Sequence, residues 1–522
     1  MTRPAVATGA TAMPPVFETV VHMLADAAAR APESEALVCD DRRLSYREYL
    51  SCVAGFAREL DERMGVRGGR VATILGNSLE SAVATFAVHA AGAQLVPLNP
   101  LYTARELMQI LEDAQPTAVL FDSAIAETVA PLAARLKISA VSFGPGAQRL
   151  DRWRDDAVEL PALPRPDDPA TLQYTGGTTG RAKGVELTHR AISTNVAQRE
   201  GLLPTVPDQE RLLCAMPLFH IYAVSMALHL TAYCRGTLVI LPRYRPDLVL
   251  KTLVDEAITI FPGSPTIFTG VMAFEGFAAT DFSHLRLCYS GSSALPEETL
   301  RRWQAATGCP VHEGYGQTEA GPVLSFNPVG QPVRPGAVGI PVPATEIQIV
   351  DPADGTRVLA IGEPGEIRAR GPQIMAGYRN LPQETAATLR DGWLYTGDIG
   401  VLDRDGWLTI RERKKDMAIV GGYNVYPREV DEVLYMHPDV QEAAAIGVPD
   451  AYRGEVIKAF VVVRPGAAAD GASLLAHCAR NLAKYKVPTT IELVASIPKT
   501  TVGKIDKKEL RAMAAKQSEG RS

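Results

Sequence analysis

The sequence predicts an α/β protein with a large N-terminal region of α/β subdomains, a β subdomain and a small C-terminal α/β domain. Through about residue 325, short apolar runs alternate with helical patterns, which implies largely parallel sheets covered by helices. Residues 339–410 contain short β-rich runs broken by Gly and Pro, as expected for a small β subdomain. After Arg413 a second, smaller alternating pattern begins.

The individual elements follow from hydrophobic periodicity. In the first region we expect helices at 17–30, 45–63, 79–91, 105–113 and 125–136, and strands at 71–75, 95–98 and 118–121. Residues 161–170 are proline-rich and predict a linker. The β subdomain includes strands at 346–350 and 366–370, and the C-terminal domain has helices at 428–436 and 473–483 with strands at 442–447 and 457–463. The first fifteen residues lack the apolar run of a signal peptide and are expected to form a loose tail.

Composition excludes several classes of protein. Apolar residues make up 46% and charged residues 21%, which excludes a disordered chain. The net charge of −6 gives no support to a nucleic-acid or membrane-surface role. Seven scattered cysteines form no CxxC pair, so we expect neither a zinc site nor a disulfide framework. The apolar stretch 82–98 is interrupted by His89, Gly92 and Gln94 and predicts a buried helix and strand, not a membrane span. We expect a cytoplasmic protein with no transmembrane segment and no nucleic-acid partner.

The strongest chemical signal is the segment 174–184, YTGGTTGRAKG. Glycines let several backbone N–H groups converge on one anion, threonine hydroxyls add donors, and a lysine adds a positive charge suited to phosphate. No Ser or Thr follows the lysine, so this is not the usual P-loop. The alternative is a flexible surface loop, which the clustering of Gly, Thr and Lys disfavours. The candidate phosphate-binding residues are Thr175, Gly176, Gly177, Thr178, Thr179, Gly180 and Lys183.

This loop resembles the phosphate-loop signature of the adenylate-forming superfamily, which includes acyl-CoA synthetases, nonribosomal peptide adenylation domains and firefly-type luciferases. Four further segments resemble the other signatures of that superfamily in the same order: 313–320 (EGYGQTEA), 395–398 (YTGD), 411–427 and 498–504 (PKTTVGK). The resemblance covers nearly the whole chain and is closest to bacterial fatty-acyl-CoA synthetases. It implies two half-reactions, in which a carboxylate and ATP give an acyl-adenylate and pyrophosphate, and a thiol then displaces AMP.

The resemblance assigns roles to individual residues. It makes Glu319 the carboxylate that associates with Mg²⁺, and Thr318 a contact of the α-phosphate. Asp398 is expected to accept hydrogen bonds from both ribose hydroxyls, because a carboxylate offers two acceptors on one fork. Arg413 is expected to contact ribose or phosphate. The adenine site is expected to comprise Ser292, Ser293, Ala294, Gly314, Tyr315 and Gly316.

Lys504 is the expected catalytic cation of the first half-reaction, where it offsets the charge that builds between the carboxylate and the α-phosphate. The resemblance also implies a small, mobile C-terminal domain that swings about Lys415. One pose delivers Lys504, and the other presents Gly421, Gly422 and Tyr423 to the pantetheine arm of coenzyme A. The expected domains are therefore residues 16–413, a hinge at 414–418, and residues 419–522.

The acid itself is indicated only weakly. His220 resembles the family residue that flanks the acyl pocket, and it is assigned a catalytic position, although a histidine beside apolar residues is often structural. The pocket is expected to include Phe219, Ile221, Tyr222, Ser290, Gly291 and Val323, which are also residues that a core would contain. No aspartate occurs in residues 222–225 to hold a substrate amine, so we expect a carboxylic acid without one.

These observations lead to an ATP-dependent acyl-CoA ligase that uses ATP, Mg²⁺ and coenzyme A on a medium- or long-chain fatty acid. An aryl-CoA ligase of the 4-coumarate type is the alternative. A non-catalytic acyl-adenylate or nucleotide-binding protein and a luciferase-like oxygenase are less favoured. The protein is expected to be a monomer or homodimer. Acetylation of Lys504 by a lysine acetyltransferase would remove its charge and switch off the first step.

Overall fold

The described part of the chain folds into four β-sheets and the helices that cover them. The computed structural model describes residues 3–10, 12–144, 150–155, 159–175, 182–450, 452–500 and 504–519. None of the helices within these ranges is long and apolar enough to cross a membrane.

The strands are numbered in chain order. They are β1 (Val6–Thr8), β2 (Glu35–Cys39), β3 (Arg42–Ser45), β4 (Arg70–Ile74), β5 (Gln94–Pro97), β6 (Ala118–Asp122), β7 (Ser139–Phe143), β8 (Pro169–Thr175), β9 (Lys183–Thr188), β10 (Arg211–Cys214), β11 (Thr237–Ile240), β12 (Ile260–Gly263), β13 (Leu287–Ser290), β14 (Val311–Gly316), β15 (Val323–Phe326), β16 (Ile340–Pro341), β17 (Glu346–Val350), β18 (Gly365–Arg370), β19 (Gly377–Tyr378), β20 (Leu389–Arg390), β21 (Trp393–Leu402), β22 (Leu408–Arg413), β23 (Ala418–Val420), β24 (Tyr423–Val425), β25 (Val440–Asp450), β26 (Gly454–Val463) and β27 (Thr490–Leu493).

The α-helices are numbered in the same way. They are α1 (Val20–Arg30), α2 (Tyr46–Met64), α3 (Leu79–Ala90), α4 (Ala104–Ala114), α5 (Ala126–Leu136), α6 (His189–Glu200), α7 (Ile221–Ala223), α8 (Leu230–Cys234), α9 (Pro246–Asp255), α10 (Pro265–Met272), α11 (Glu297–Thr307), α12 (Pro382–Thr388), α13 (Pro427–Tyr435), α14 (Gly471–Asn481) and α15 (Lys507–Glu519). A π-helical segment, Val224–His229, joins α7 to α8.

Two largely parallel sheets form the N-terminal region. One has seven strands in the order β19-β9-β8-β5-β4-β6-β7, and the other has nine in the order β16-β15-β14-β13-β12-β10-β11-β2-β3. The inner strands of both sheets are parallel, and antiparallel strands lie at their edges. Parallel strands need crossover helices, which is why their near-continuous apolar runs alternate with helices along the chain.

Two smaller sheets complete the fold. An antiparallel sheet in the order β1-β17-β18-β21-β20, with β22 paired to β21, forms the predicted β subdomain. The C-terminal domain contains the sheet β24-β23-β26-β25, with β27 parallel to β26, and has apolar clusters of its own. The predicted fold class, a large α/β region with a β subdomain and a small C-terminal α/β domain, is confirmed.

Helix starts follow local capping chemistry. Ser45 and Thr103 each accept a hydrogen bond from the backbone three residues later, and Glu48 and Glu106 return one to the cap backbone. These capping boxes satisfy N–H groups that the first turn of a helix leaves without partners. They fix the starts of α2 and α4 within a residue of the positions expected from the sequence.

Two expectations need correction. Part of the predicted loose tail is a strand, because residues 6–8 pair antiparallel with Glu346–Gln348 of β17 and the small side chains of Ala5 and Ala7 are buried against that sheet. The predicted linker 161–170 does not separate two sheets. β8, which starts at Pro169, returns to pair with β5 in the first sheet, while β2 pairs with β11 in the second.

Trp303 gives a test of the N-terminal core. It is fully buried on α11 and packs against four phenylalanines: Phe261, Phe268, Phe277 and Phe282. We expect Trp303→Ala to lower the free energy of unfolding by about 3–5 kcal/mol, since it leaves a cavity that neighbours fill only partly. Urea denaturation measures this change. Phe274→Ala, at an exposed phenylalanine, is the control and should change little; an equal loss in both variants would contradict the assignment.

Candidate active site

A polar cavity lies where the β subdomain meets the two parallel sheets. Its volume is about 350 Å³. The lining residues come from β9, the segment after β14, the stretch from β19 to β20, and β21: Lys183, Gln317, Glu319, Glu366, Tyr378, Ala387, Thr388, Arg390, Tyr395, Thr396 and Gly397. The cavity therefore contains residues from three of the predicted signatures, which are more than 200 positions apart at their extremes.

Glu319 occupies one wall of this cavity. It lies in a single 3₁₀ turn, Thr318–Ala320, directly after β14. Tyr378 donates a hydrogen bond from its hydroxyl to Glu319 Oε1 at 2.7 Å, and the Lys183 ammonium sits 5.0 Å from the centre of the Tyr378 ring. The Tyr378 ring thus contacts a carboxylate at its hydroxyl and an ammonium over its face. This arrangement suits a phosphate and a divalent cation.

Asp398 lies at the turn within β21. Its Oδ2 accepts a hydrogen bond from the Tyr315 hydroxyl at 2.7 Å, and its Oδ1 is 4.0 Å from Arg413 Nε. Burial raises the pKa of Asp398, while Arg413 and Tyr315 act in the opposite direction. β21 and β22 pair Asp398 with Arg413 directly, so the register of this hairpin fixes the two groups together.

Lys504 reaches this site from the C-terminal domain. Its backbone N–H donates to Thr500 Oγ1 at 3.2 Å and its carbonyl accepts from Thr500 N–H at 2.7 Å, which closes the loop behind it. Burial, with a smaller contribution from Arg413, lowers the pKa of Lys504 to about 8, and Asp398 and Glu319 oppose the shift. The structure therefore brings Lys504, Asp398, Glu319 and Arg413 within electrostatic reach of one another.

His220 adjoins the same lysine. Burial, and then the charge of Lys504, lowers the pKa of His220 to about 3, so the ring is neutral at pH 7. The histidine caps α7, and its Nδ1 accepts a hydrogen bond from Tyr222 N–H at 3.3 Å. Because Nδ1 accepts, the proton of the neutral ring is assigned to Nε2.

The structure describes only the two ends of the predicted phosphate loop. Thr175 ends β8 and Lys183 begins β9, and the two residues face each other in the antiparallel ladder. Gly176, Gly177, Thr178, Thr179 and Gly180 lie outside the described residues. The lysine reaches the cavity, as expected for a phosphate ligand.

The two segments predicted to hold adenine are neighbours. β13 and β14 are parallel, and the residues after β13 (Ser292, Ser293 and Ala294) lead to Leu295, whose N–H donates to Glu313 Oε1 at 3.0 Å. Ser292 has a left-handed φ of 75°. A Cβ at Gly316 would lie 1.9 Å from the Pro322 carbonyl oxygen, so the chain turns there with no room for a side chain. Gly314 and Tyr315 precede this turn in β14.

The predicted acyl-pocket residues divide between two faces of β13. A Cβ at Gly291 would lie 3.1 Å from Tyr222 Cζ, so these two residues are in contact. Tyr289 points the same way and donates to the Met226 carbonyl. Strand alternation puts Ser290 on the opposite face, with Cys288 and its neighbour Cys309. Ile221 and Val323 are buried and Phe219 is half-buried.

The predicted hinge is a turn between β22 and β23, anchored on both sides. Lys414 Nζ donates to Glu366 Oε2 of the β subdomain at 2.8 Å, whereas Asp416 accepts from Arg511 of α15 at 2.6 Å. Lys415 stands exposed between these anchors. Gly421 and Gly422 form the two-residue turn of a hairpin, and both have positive φ. That hairpin, including Tyr423, is exposed and does not line the cavity.

Sequence reasoning missed two contributors to this region. Tyr378 positions Glu319, but no local pattern marks a tyrosine in a two-residue strand as a partner of a residue 59 positions away. Glu412 receives Lys507 Nζ at 2.9 Å and the Arg428 N–H at 3.1 Å, both from the C-terminal domain. Glu412 lies inside the hinge signature, residues 411–427, and this position is the sequence feature that could have identified it.

The electrostatic arrangement around Lys504 can be tested without substrates. Asp398→Asn should lower the pKa of Lys504, because a neighbouring negative charge is lost, and Arg413→Gln should raise it. The pH dependence of acetylation by acetic anhydride, followed at Lys504 by peptide mass spectrometry, measures both shifts. Lys137, which is exposed, is the internal reference. Shifts in the same direction for the two variants would contradict the arrangement.

Comparisons with known proteins identify the family of this chain. The family model described as AMP-binding enzyme matches residues 24–379, and that of the AMP-binding enzyme C-terminal domain matches residues 429–504. The chain is 38% identical over 527 residues to a long-chain-fatty-acid–CoA ligase of Bacillus subtilis, covering 94% of each chain. It is 37% identical over 484 residues to a feruloyl-CoA synthase of Amycolatopsis, covering 92% of this chain and 96% of the relative.

Among solved structures, ATP-bound MatB from Rhodopseudomonas palustris superposes with a TM-score of 0.88 at 33% identity, covering 94% of this chain and 98% of that one. The similarity extends over both the large N-terminal region and the small C-terminal domain. The resemblance inferred from the five motifs is confirmed, and the chain belongs to the AMP-binding enzyme family.

Proposed function

We propose that this protein is an AMP-forming acyl-CoA ligase that activates a carboxylic acid as its adenylate and transfers the acyl group to coenzyme A. The observation that carries the proposal is the position of Lys504. Lys504, from the C-terminal domain, lies within electrostatic range of Asp398, Glu319 and Arg413, and Glu319 lines the cavity. A protein that only bound nucleotide would have no need to bring a mobile cation there.

In the first step, a carboxylate oxygen attacks the α-phosphorus of ATP, and the bond to the β-phosphate oxygen breaks to release pyrophosphate. Two anions approach each other, so preorganised cations lower the barrier. Lys504 is placed to neutralise the charge where carboxylate and phosphate meet, and Lys183 to hold the outgoing phosphates. His220 is neutral and adjoins Lys504, so it bounds the carboxylate without adding a competing positive charge.

The site also fits the Mg²⁺ that this reaction uses. Within the described part of the chain, no group of three or more His, Cys, Asp or Glu could hold a metal ion by itself. Mg²⁺ is commonly bound through one or two carboxylates together with substrate phosphates. Glu319, fixed by Tyr378, would hold it there, and the ion would supply charge neutralisation on the phosphate oxygens.

The second step needs a different arrangement. The thiol sulfur of coenzyme A attacks the acyl carbon, the bond to the phosphate oxygen breaks, AMP leaves and the thiol proton is released. No new negative charge has to be offset at the α-phosphate, so Lys504 can withdraw. We propose that rotation at Lys415, between the anchors of Lys414 and Asp416, replaces Lys504 by the hairpin that contains Gly421, Gly422 and Tyr423.

For the acid, we propose a medium- or long-chain fatty acid, on the strength of the Bacillus subtilis relative. The Amycolatopsis relative supports the aryl alternative. A panel of alkyl and aryl carboxylic acids, scored by pyrophosphate release and by acyl-CoA mass, decides between them. Absence of pyrophosphate release with every acid would reject the ligase. The cytoplasmic location, the monomeric or dimeric state and the acetylation of Lys504 stay predictions.

Lys504→Ala is expected to separate the two half-reactions. Loss of one preorganised charge in a transition state costs about 3–4 kcal/mol, so adenylation should slow by about a hundred- to a thousandfold. Thioester formation from supplied acyl-adenylate and coenzyme A should persist, because that step does not use the cation. Pyrophosphate release and acyl-CoA mass report the two steps separately. Lys499→Ala is the matched control: it removes another lysine of the 498–504 segment, which pairs with Glu442 on β25. Equal losses in both half-reactions of Lys504→Ala would remove its assignment to the first step.

Asp398→Ala tests the nucleotide site. If the carboxylate holds two ribose hydroxyls, their loss should weaken the use of ATP by about 3–6 kcal/mol, seen as a raised KM for ATP. Asp405→Ala, in an exposed turn of the same subdomain, is the control. An unchanged dependence of adenylation on ATP concentration would mean that Asp398 does not contact the ribose.

A further inference from the structure

Arg199, on α6, is fully buried but only partly bonded. Its Nη1 donates to Glu200 Oε1 at 2.6 Å and to the Leu203 carbonyl. Among the described residues, nothing accepts a hydrogen bond from its Nε or Nη2. These two nitrogens form one edge of the guanidinium plane, so a complete two-donor fork is left without acceptors in the protein interior. Buried donors of a charged group are costly to leave unpaired, which points to a ligand.

This free fork lies beside the proposed acyl pocket. The Arg199 guanidinium carbon is 4.9 Å from the centre of the Tyr289 ring, and Tyr289 lies on the same face of β13 as Gly291, which contacts Tyr222. α6 also packs against the π-helical segment Val224–His229. The residues that line the pocket wall therefore continue directly to Arg199.

Further buried polar atoms in this region are unpaired, among them two hydroxyls near Gly291 and Met226. Within the described part of the chain, Tyr222 Oη and Ser225 Oγ are buried and have no hydrogen-bond partner. A serine inside a helix normally bonds to a backbone carbonyl four residues earlier or faces solvent, and Ser225 does neither. Two hydroxyls and a two-donor fork thus lie in one buried region, together with apolar residues such as Met226.

The direction of the chain places this cluster at the far end of the pocket. His220 caps the start of α7 and lies within electrostatic range of Lys504, the proposed cation of the first step, so it lies toward the proposed carboxylate end. From there α7 and the π-helical segment run inward, from half-buried His220 to fully buried Ser225 and Met226. At about 1.5 Å of rise per residue, Ser225 and Met226 lie roughly 8–9 Å further along the helix axis than His220.

We propose that Arg199, Tyr222 and Ser225 form a polar subsite for an uncharged oxygen at the distal end of the acyl group, such as a hydroxyl, methoxy or carbonyl oxygen. The inference rests on the proposed ligase function and names its substrate class: acids that carry an oxygen remote from the carboxylate, in preference to the unsubstituted parent acids. An apolar chain end leaves all of these donors unpaired, whereas an oxygen acceptor satisfies them.

The charge around Arg199 favours an uncharged oxygen over a second carboxylate. Glu200 is buried and already neutralises Arg199, and its other oxygen accepts from the N–H and hydroxyl of Thr205. A further buried carboxylate would bring an uncompensated negative charge into the core. An uncharged acceptor uses the fork without that cost.

Paired acids test the subsite. Initial rates of pyrophosphate release give kcat/KM for cinnamate and 4-hydroxycinnamate, and for each straight-chain acid from hexanoate to dodecanoate with its ω-hydroxy counterpart. In the wild-type protein we expect at least one oxygenated acid to exceed its parent by about 10- to 100-fold. The ratio within one protein sample does not depend on how much of a variant is folded.

Two variants assign the preference to these residues. Tyr222→Phe keeps the ring and should lower the ratio. Arg199→Met combined with Glu200→Gln removes the fork without leaving an unpaired carboxylate, and should bring the ratio close to one.

Each variant has a matched control that should keep the wild-type ratio. Tyr49→Phe removes a buried hydroxyl that donates to the Ala82 carbonyl, between helices α2 and α3. Arg211→Met with Glu256→Gln removes an ion pair between the first residue of β10 and the residue after α9.

The outcomes separate the inference from the function on which it rests. Ratios near or below one for every pair, with active enzyme, overturn the subsite and leave the ligase in place. A wild-type preference that survives both variants also overturns it. A preference for the dicarboxylic acids decanedioate or dodecanedioate over the ω-hydroxy acids overturns the assignment to an uncharged oxygen. No pyrophosphate release with any acid rejects the ligase function and the subsite together.

Discussion

The proposed chemistry depends on one electrostatic constraint, which is that a positive charge must be available where two anions meet and must then be removable. Lys504 meets the first requirement because it is partly buried beside Asp398, Glu319 and Arg413. Its lowered pKa means that its charge is sensitive to exactly which groups surround it. A residue that is fixed within the large region could not leave, so the cation is supplied by a separate domain.

The connection between the two parts reflects this need for movement. The interface beside the hinge is made of ion pairs and hydrogen bonds, with Glu412 receiving both Lys507 and the Arg428 N–H. Polar contacts of this kind can be exchanged for water when the domains separate, whereas a large apolar interface would resist rotation. Lys414 and Asp416 are bonded to the β subdomain and to α15, and the proposed pivot, Lys415, lies between them.

The two ends of the proposed acyl pocket differ in whether their polar groups have hydrogen-bond partners within the protein. At the nucleotide end, the Glu319 and Asp398 carboxylates accept hydrogen bonds from Tyr378 and Tyr315. At the far end, Arg199 and Tyr222 keep donors that no described residue accepts. We therefore expect contacts at the far end of the pocket to determine which acid the enzyme prefers.

The sequence alone determined the family, the fold class and the nucleotide-binding candidates, because these depend on short motifs and local periodicity. It could not assign strands to sheets: β2 joins β11 across about 200 residues, and β8 returns to β5, through long-range pairings that leave no local pattern. Nor could it find Tyr378 beside Glu319 or the free donors of Arg199. Whether a buried polar group is paired depends on atoms brought together from distant segments, and only the tertiary structure decides that.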